Sequence, residues 1–138
     1  MTGALVLLAA VLLTVAAGLV HRRREGRMRT VTPDDSLAPV LADLGADAGE
    51  RATLLQFSSA FCAPCRATRR VLTEVVDLVP GVAHVEVDAE QHLDVVRRLG
   101  IVKTPTTIVL DAAGREVVRA SGQPRKADVL AALGHALP

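Results

Sequence analysis

The chain has 138 residues, of which 50% are hydrophobic and 22% are charged, and its formal net charge is +1. That length accommodates one ordinary domain and is too short for two. Its two cysteines are too few for a small scaffold held together by several disulfides, or for a site of four cysteines around zinc or an iron–sulfur cluster.

Charge is distributed unevenly along the chain. Residues 21–29 contain five arginines and one glutamate, whereas residues 30–138 contain 11 basic and 14 acidic side chains, a formal charge of −3. The chain has no Trp or Tyr and only two Phe. A basic run this local, beside a mildly acidic domain with few rings for base stacking, argues against a nucleic-acid partner.

The N-terminal stretch is long and apolar enough to cross a membrane. Residues 1–20 contain no Asp, Glu, Lys or Arg, and residues 3–20 form an apolar run of 18 residues. As a helix this run measures about 27 Å, close to the roughly 30 Å of a hydrocarbon core. A cleaved signal peptide has its positive charge before a shorter apolar region, whereas the arginines of this chain follow the apolar run. Val15, Ala16 and Ala17 do resemble a cleavage site. We therefore predict an uncleaved transmembrane anchor at 1–20, a basic juxtamembrane linker at 21–35 and a folded domain at 36–138.

The arginines that follow the apolar run indicate its orientation. Lys and Arg beside a membrane helix favour the cytoplasmic side, and all five arginines of this segment lie C-terminal to the helix. We therefore expect a single-pass protein of the cell membrane whose domain faces the cytoplasm. Export of the domain is the alternative.

Beyond the basic segment, apolar runs predict alternating strands and helices. Residues 29–32 are either a first strand or linker, and Ser36 is placed to cap a short helix that Gly45 ends. The remaining pattern is β-α-β-α-β-β-α, with elements at 53–57, 62–79, 82–87, 89–99, 106–110, 115–120 and 125–137. Crossover helices imply parallel strands, and the short turn at 111–114 implies an antiparallel pair. The predicted fold is therefore an α/β domain with a mixed central sheet and helices on both faces.

Cys62 and Cys65 lie where the strand at 53–57 gives way to the following helix. At a helix N-terminus, free backbone N–H groups and the helix dipole favour a thiolate, which makes such a thiol reactive. Cys65 lies one turn later, so the two sulfurs can close a disulfide and exchange it through a mixed disulfide. Pro64 is compatible with the first helical turn, where its missing N–H costs nothing.

The cysteine pair is also open to a structural role and to a metal-binding role. Cysteines buried in a core are one possibility, although a helix N-terminus beside a proline is an unusual place for them. A zinc site is the other, and it would need two of the four histidines, which are His21, His84, His92 and His135. His84 lies on a predicted strand and His92 on the next predicted helix, with seven residues between them. That is not a usual spacing for zinc ligands. A CxxC pair at a strand-to-helix junction in a βαβ unit favours redox chemistry over both.

The segment from about 53 to 137 resembles thioredoxin. Residues 57–66, FSSAFCAPCR, resemble the active-site stretch of that family, and residues 85–88, VEVD, resemble its third strand. Residues 100–110, GIVKTPTTIVL, resemble the loop whose proline is cis and faces the dithiol, and Gly114 and Gly122 match two later glycines. The resemblance implies a thioredoxin fold and thiol–disulfide oxidoreductase activity.

The resemblance also implies roles for individual residues. Cys62 would be the attacking thiolate and Cys65 the resolving cysteine. The residues expected to line the substrate groove are Phe61, Ala63, Pro64, Thr104 and the cis-proline Pro105. Phe61 stands where the family usually has Trp, and Ala63 where it usually has Gly.

Two positions depart from the pattern of the family. Gln56 stands in place of a buried Asp that helps to deprotonate the resolving cysteine, and His84 stands in place of a buried Lys. Either both are packing substitutions, or His84 or water handles the proton and resolution is slower.

Three arginines, Arg66, Arg69 and Arg70, follow the cysteines on the predicted helix. We interpret them as a solvated helix face. The alternatives are that they steer an acidic partner or increase the thiolate population at Cys62.

The predicted function is that of a membrane-tethered oxidoreductase that reduces disulfides in partner proteins. Glutathione and thioredoxin pools keep dithiols in the cytosol reduced, and the domain would take electrons from a reductase or a membrane electron donor. No bound cofactor or metal is expected, because the Cys62–Cys65 dithiol carries the electrons, and the domain is expected to be monomeric. The alternatives are an exported oxidase or isomerase, an exported reductant for apocytochrome thiols, and a tethered scaffold that uses the fold only for contact.

Overall fold

The computed structural model describes residues 2–30 and 36–138 of the chain. Helix α1 covers Thr2–Arg24, and its stretch Gly3–Arg23 is long and apolar enough to cross a membrane. None of that stretch is buried, so α1 projects from the domain. The apolar helix that the sequence predicts is present, and a signal sequence has the same length and composition.

Five strands form one mixed sheet in the order β1-β5-β4-β2-β3. They are β1 (Arg29–Thr30), β2 (Ala52–Ser58), β3 (Val82–Asp88), β4 (Thr106–Asp111) and β5 (Glu116–Ser121). The pair β2–β3 is parallel, and the pairs β2–β4, β4–β5 and β1–β5 are antiparallel. The mixed sheet predicted from the crossover helices and the short turn is confirmed.

Four further helices cover the two faces of this sheet. They are α2 (Ala38–Asp43), α3 (Ala63–Leu78), α4 (Leu93–Arg98) and α5 (Lys126–Ala136). One hydrophobic cluster joins α3 and α5 to the sheet, and a second cluster joins α2 and α4 to it. Helices on both faces, as predicted, bury the sheet between two layers.

Strand β2 lies near the centre of the sheet, and all seven of its residues are buried. Successive side chains of a strand point to opposite faces. Leu54 accordingly belongs to the cluster under α3 and α5, whereas Leu55 and Phe57 belong to the cluster under α2 and α4. Gln56 and Ser58 follow Leu54 on the α3 face, which places two polar side chains beneath the start of α3.

Helix α4 is shorter than the helix predicted at 89–99. The carboxylate of Asp88 accepts a hydrogen bond from the backbone N–H of Glu90 at 2.9 Å, and the backbone oxygen of Asp88 accepts one from Gln91 at 3.2 Å. These bonds form a turn, so the helix begins only at Leu93.

Two further predictions concern the start of the domain. Residues 29–30 form β1, and the remainder of the strand predicted at 29–32 lies outside the described residues. Ser36 accepts a hydrogen bond from the N–H of Ala38 at 3.2 Å and donates one to the carbonyl oxygen of Ala113 at 2.7 Å. The N-cap of α2 is Leu37 rather than the predicted Ser36, whose side chain instead joins the start of α2 to the β4–β5 turn.

Candidate active site

The two cysteines lie at the junction between β2 and α3. Cys62 is the N-cap of α3, and its Sγ accepts a hydrogen bond from the backbone N–H of Cys65 at 3.1 Å. The two sulfurs form a disulfide, and the two Cα atoms are 5.2 Å apart. The strand-to-helix junction therefore brings together the pair that the sequence singles out.

The two cysteines differ in exposure. Cys65 is 2% exposed, whereas Cys62 is only partly buried. Ala63 and Pro64, between them in sequence, are exposed in the first turn of α3. A sulfur from another protein can thus approach Cys62, while Cys65 is reached from within the fold.

Phe61 is the residue immediately before the reactive pair, and its side chain is entirely exposed. Its φ of 57° is the one positive φ of a non-glycine residue within 2–30 and 36–138. That conformation costs an L-residue roughly 1–2 kcal/mol. The backbone thus carries strain where it presents an aromatic ring to solvent beside Cys62.

The loop before β4 approaches Cys62 from the other side. The Thr104–Pro105 peptide bond is cis, as the resemblance implies, and Pro105 is buried. The hydroxyl of Thr104 lies 4.0 Å from Cys62 Sγ and 2.8 Å from the hydroxyl of Ser59. The hydroxyl of Thr104 therefore lies next to the accessible sulfur, and the hydroxyl of Ser59 is bonded to it in turn.

Beneath Cys65 lies the side chain of Gln56, which is completely buried. Its Nε2 donates to the backbone oxygen of Cys65 and to the hydroxyl of Ser58, both at 2.9 Å. Its Oε1 lies 3.0 Å from Nε2 of His84. Because an amide oxygen only accepts hydrogen bonds, His84 donates through Nε2. The amide of Gln56 thus joins the cysteine motif to β3.

A second branch of this network reaches the surface. Ser58 donates to one carboxylate oxygen of Glu86 at 2.7 Å. Arg69 donates to both oxygens of the same carboxylate, at 2.6 and 2.8 Å. Arg69 therefore forms a bidentate ion pair with Glu86 that links α3 to β3. It is not part of a free solvated face, as the sequence had suggested.

Burial and charge shift the pKa values of this network in defined directions. Burial lowers the pKa of His84, with Arg69 acting in the same direction and Glu86 opposing them. Burial raises the pKa of Glu86, but the hydrogen bonds from Arg69 and Ser58 outweigh it, so the net pKa falls. A neutral His84 beside an ionised Glu86 is the resulting state at neutral pH.

The sequence pointed to Gln56 and His84, and it pointed to Arg69 only as part of a solvated helix face. Ser58 and Glu86 were missed, and so was Ser59. The alternation of β2 was a usable signal for Ser58, since it shares a face with Gln56. Glu86 could not be placed opposite Gln56 without knowing the register of β2 and β3.

Within the described ranges, two buried hydroxyls have no hydrogen-bond partner. They belong to Thr68 on the inner face of α3 and to Thr107, the register partner of Gln56 on β4. Buried hydroxyls are usually satisfied. They add to the polar character of the layer between α3 and the sheet.

Residues 2–30 and 36–138 contain no group of three or more His, Cys, Asp or Glu side chains that could hold a metal ion. Both cysteine sulfurs are also bonded to each other in the disulfide, so neither is a thiolate ligand in this structure. The zinc alternative raised by the histidine count thus finds no cluster in this part of the chain.

Comparison with known proteins identifies the family. A model of the thioredoxin-like domain matches residues 45–137. Among solved structures, thioredoxin from Fasciola hepatica is 20% identical, covers 72% of this chain and 90% of its own, and has a TM-score of 0.58. A mutant thioredoxin from Halobacterium salinarum is 18% identical, covers 80% and 97%, and has a TM-score of 0.62.

Mitochondrial thioredoxin 3 from Saccharomyces cerevisiae, in its oxidized form, is 18% identical, covers 62% of this chain and 78% of its own, and has a TM-score of 0.54. No curated protein matches the chain. The structural likenesses show a thioredoxin fold, and the family match extends over most of the chain. With its disulfide-forming CxxC pair in that fold, the chain is a member of the thioredoxin family.

Proposed function

We propose that this chain is a membrane-tethered thiol–disulfide oxidoreductase that reduces disulfides in partner proteins. The observation that supports this most directly is the Cys62–Cys65 disulfide, with one sulfur accessible and the other buried. A pair of this kind carries two electrons without a bound cofactor. The apolar helix α1, which ends immediately before the domain, supports the tether.

The proposed reaction begins from the dithiol form. The Cys62 thiolate attacks one sulfur of a substrate disulfide, forms a mixed disulfide, and releases the other substrate sulfur as a thiolate that takes a proton from water. Cys65 then loses its proton and attacks Cys62 Sγ, which releases the second substrate thiolate. The substrate disulfide gains two electrons and two protons, and the Cys62–Cys65 pair becomes the disulfide of the structure.

The groove proposed for the substrate surrounds Cys62. Phe61, Ala63 and Pro64 form its exposed side, and Thr104 with Pro105 forms the other. The hydroxyl of Thr104, 4.0 Å from Cys62 Sγ, is placed to stabilise a thiolate there.

We propose that the domain faces the cytoplasm and that its pair is returned to the dithiol by a reductase or a membrane electron donor. The five arginines in the last turn of α1 and just after it support this side of the membrane. A reducing compartment in turn favours a reductant over an oxidant.

A redox titration of the full chain, read by thiol labelling and mass spectrometry, tests the direction of electron flow. A potential near about −270 mV is expected for a reductant, and one near about −120 mV would indicate an oxidant. A Cys65→Ser variant is expected to accumulate the mixed disulfide, while Cys62→Ser forms none. Full biological function in Cys62→Ser would favour a scaffold and contradict the proposal.

The side of the membrane is tested separately with reporters fused to the C-terminus of the chain. A reporter active only in the cytoplasm is expected to work, and one active only after export is expected to fail. The reverse result would favour an exported oxidase, isomerase or apocytochrome reductant.

A further inference from the structure

The junction between α1 and the domain is short and closely packed. Helix α1 ends at Arg24, and two residues later the backbone N–H of Gly26 donates to the carbonyl oxygen of Ser121 at 2.7 Å. Gly26 has a φ of +70°, and a Cβ on it would lie 2.0 Å from the backbone oxygen of Gln123. Only glycine allows this approach, so the chain passes from α1 directly onto the end of β5.

The same junction contacts the loop that lies against Cys62. The carboxylate of Glu25 accepts from Nζ of Lys103 at 2.9 Å, and Lys103 directly precedes Thr104. The backbone N–H of Gly122 donates to the carbonyl oxygen of Pro105 at 2.7 Å. The end of α1 is thus connected to the residues around the redox pair directly, through Glu25 and Lys103, and indirectly, through Ser121 and its neighbour Gly122.

These contacts determine which end of the domain is nearest to a membrane that α1 crosses. The stretch Gly3–Arg23 is exposed along its length, so the domain lies beyond the helix end rather than beside it. The residues that contact Glu25 and Gly26 then lie closest to the bilayer. They belong to the same end of the sheet as Cys62.

The surface at this end has the composition of a membrane-proximal face. A cavity of about 450 Å³ beside the junction includes four arginines, Arg22, Arg23, Arg27 and Arg125. Its two carboxylates are both paired, Glu25 with Lys103 and Asp128 with Arg125. Basic residues next to a membrane helix bind anionic headgroups. Phe61 and Val102, flanking the redox site, are 102% and 89% exposed.

We infer that the redox pair lies close to the bilayer surface and that its substrates are disulfides of integral membrane proteins located next to the membrane. This inference rests on the proposed function and assigns its substrate class. A disulfide far from the bilayer, on a soluble protein or on a domain that extends well away from the membrane, would meet the groove less often. The competing outcome is that soluble substrates are reduced as fast as disulfides next to the membrane.

The position of the site is measured with single-tryptophan variants, because the chain has no Trp or Tyr. The full chain is placed in vesicles of phosphatidylcholine and phosphatidylglycerol that contain a lipid with a nitroxide on its headgroup. Val102→Trp is expected to lose most of its fluorescence. Leu78→Trp is the matched control, since Leu78 is also exposed but lies at the other end of α3, about 24 Å from Cys62 along the helix.

Equal quenching of Val102→Trp and Leu78→Trp, or no quenching of Val102→Trp, would overturn the inference. Val20→Trp, within the apolar stretch, reports whether α1 enters the bilayer when the quencher is moved to the lipid chains. Failure of that variant to be quenched would overturn the proposed tether, and the inference with it.

The substrate class is tested with a disulfide loop on a single-span peptide in the same vesicles. One peptide has the loop adjacent to the membrane, and a second has it raised on a helical stalk. The wild-type chain is expected to reduce the adjacent loop about tenfold faster than the raised one. Insertion of about 20 Gly and Ser residues after Arg24, which span roughly 25 Å, is expected to abolish that preference.

Equal rates on both loops with the wild-type chain, or a preference that survives the insertion, would overturn the inference but not the proposed function. If the chain reduced neither of the two loops nor a soluble peptide with the same loop, the proposed function would be overturned instead.

Discussion

The side-chain amide of Gln56 donates a 2.9 Å hydrogen bond to the backbone oxygen of Cys65. The buried cysteine is therefore in contact with a group that does not ionise at neutral pH. Among the partners that this amide bonds within residues 2–30 and 36–138, His84 is the titratable one. Burial keeps His84 neutral, and its Nε2 proton points at Gln56 rather than at a sulfur. Deprotonation of Cys65 therefore lacks the buried carboxylate that the family usually provides.

The first prediction is that Gln56→Asp speeds the second half of the reaction. A carboxylate at this position is buried, so its pKa is raised and it becomes a base near neutral pH. We expect release of substrate from the mixed disulfide to accelerate about tenfold or more, with a new inflection in its pH profile. Stopped-flow thiol labelling measures both quantities. Gln56→Leu, which removes the amide without adding a base, is the control and should add no inflection; a profile that Asp leaves unchanged would dismiss any role for position 56.

The second prediction concerns the pH dependence of stability at His84. Because burial lowers its pKa in the fold, the unfolded chain binds the proton more tightly. The free energy of unfolding is therefore highest above the unfolded pKa of about 6.5, and it decreases as the pH falls through that value towards the folded pKa. Urea unfolding of the full chain in micelles, followed by circular dichroism, should show this loss.

His84→Gln is the variant that tests this assignment, since its amide can still donate to Gln56. The slope of stability against pH just below about 6.5 should flatten in this variant. Glu86, whose pKa is also lowered, acts in a more acidic range, below the ordinary glutamate value of 4.5. A slope that persists unchanged in His84→Gln would show that another group is responsible.

The third prediction compares two ion pairs of α3. Glu86→Gln removes the charge that Arg69 contacts with two hydrogen bonds, and the side chain of Glu86 is only 25% exposed. We expect the free energy of unfolding to fall by about 1 kcal/mol. Glu74→Gln, which breaks the exposed pair with Lys126, should have little effect. Equal effects of the two substitutions on the urea midpoint would contradict the assigned role of the Glu86 network.

The fourth prediction concerns the glycine of the α1 junction. Gly26 and Gly45 both have positive φ, +70° and +63°, but a Cβ on Gly45 meets nothing within 4 Å. Both Ala substitutions share a backbone strain of roughly 1–2 kcal/mol, and only Gly26→Ala also collides with the backbone of Gln123. In the Val102→Trp background, Gly26→Ala should weaken quenching by headgroup nitroxides, whereas Gly45→Ala should not. Identical quenching in both variants would show that the packing at Gly26 does not position the redox loop.

Much of the fold could be predicted because its signals are local. Apolar runs of strand length, the short turn at 111–114 and the cysteines at a strand-to-helix junction indicated the mixed sheet and placed the redox pair. The ends of helices and strands were harder to predict. The start of α4 depends on one side chain, since the Asp88 carboxylate accepts the N–H of Glu90 and delays the helix.

The contacts around the site were harder to predict because they join residues far apart in sequence. Arg69 looked like a solvated helix residue until the parallel register of β2 and β3 placed Glu86 beneath it. The ion pair of Glu25 with Lys103 spans 78 residues and joins a basic segment to a loop. Nothing in either stretch, taken alone, specifies the other.

The junction at Gly26 also bears on how the protein would meet its partners. Only Glu25 lies between the end of α1 and Gly26, which bonds to Ser121, so the domain of a membrane-inserted chain cannot swing away from the end of its helix. Encounters would then depend on lateral diffusion, and turnover would scale with the number of partner molecules per unit area of membrane rather than with their concentration in solution.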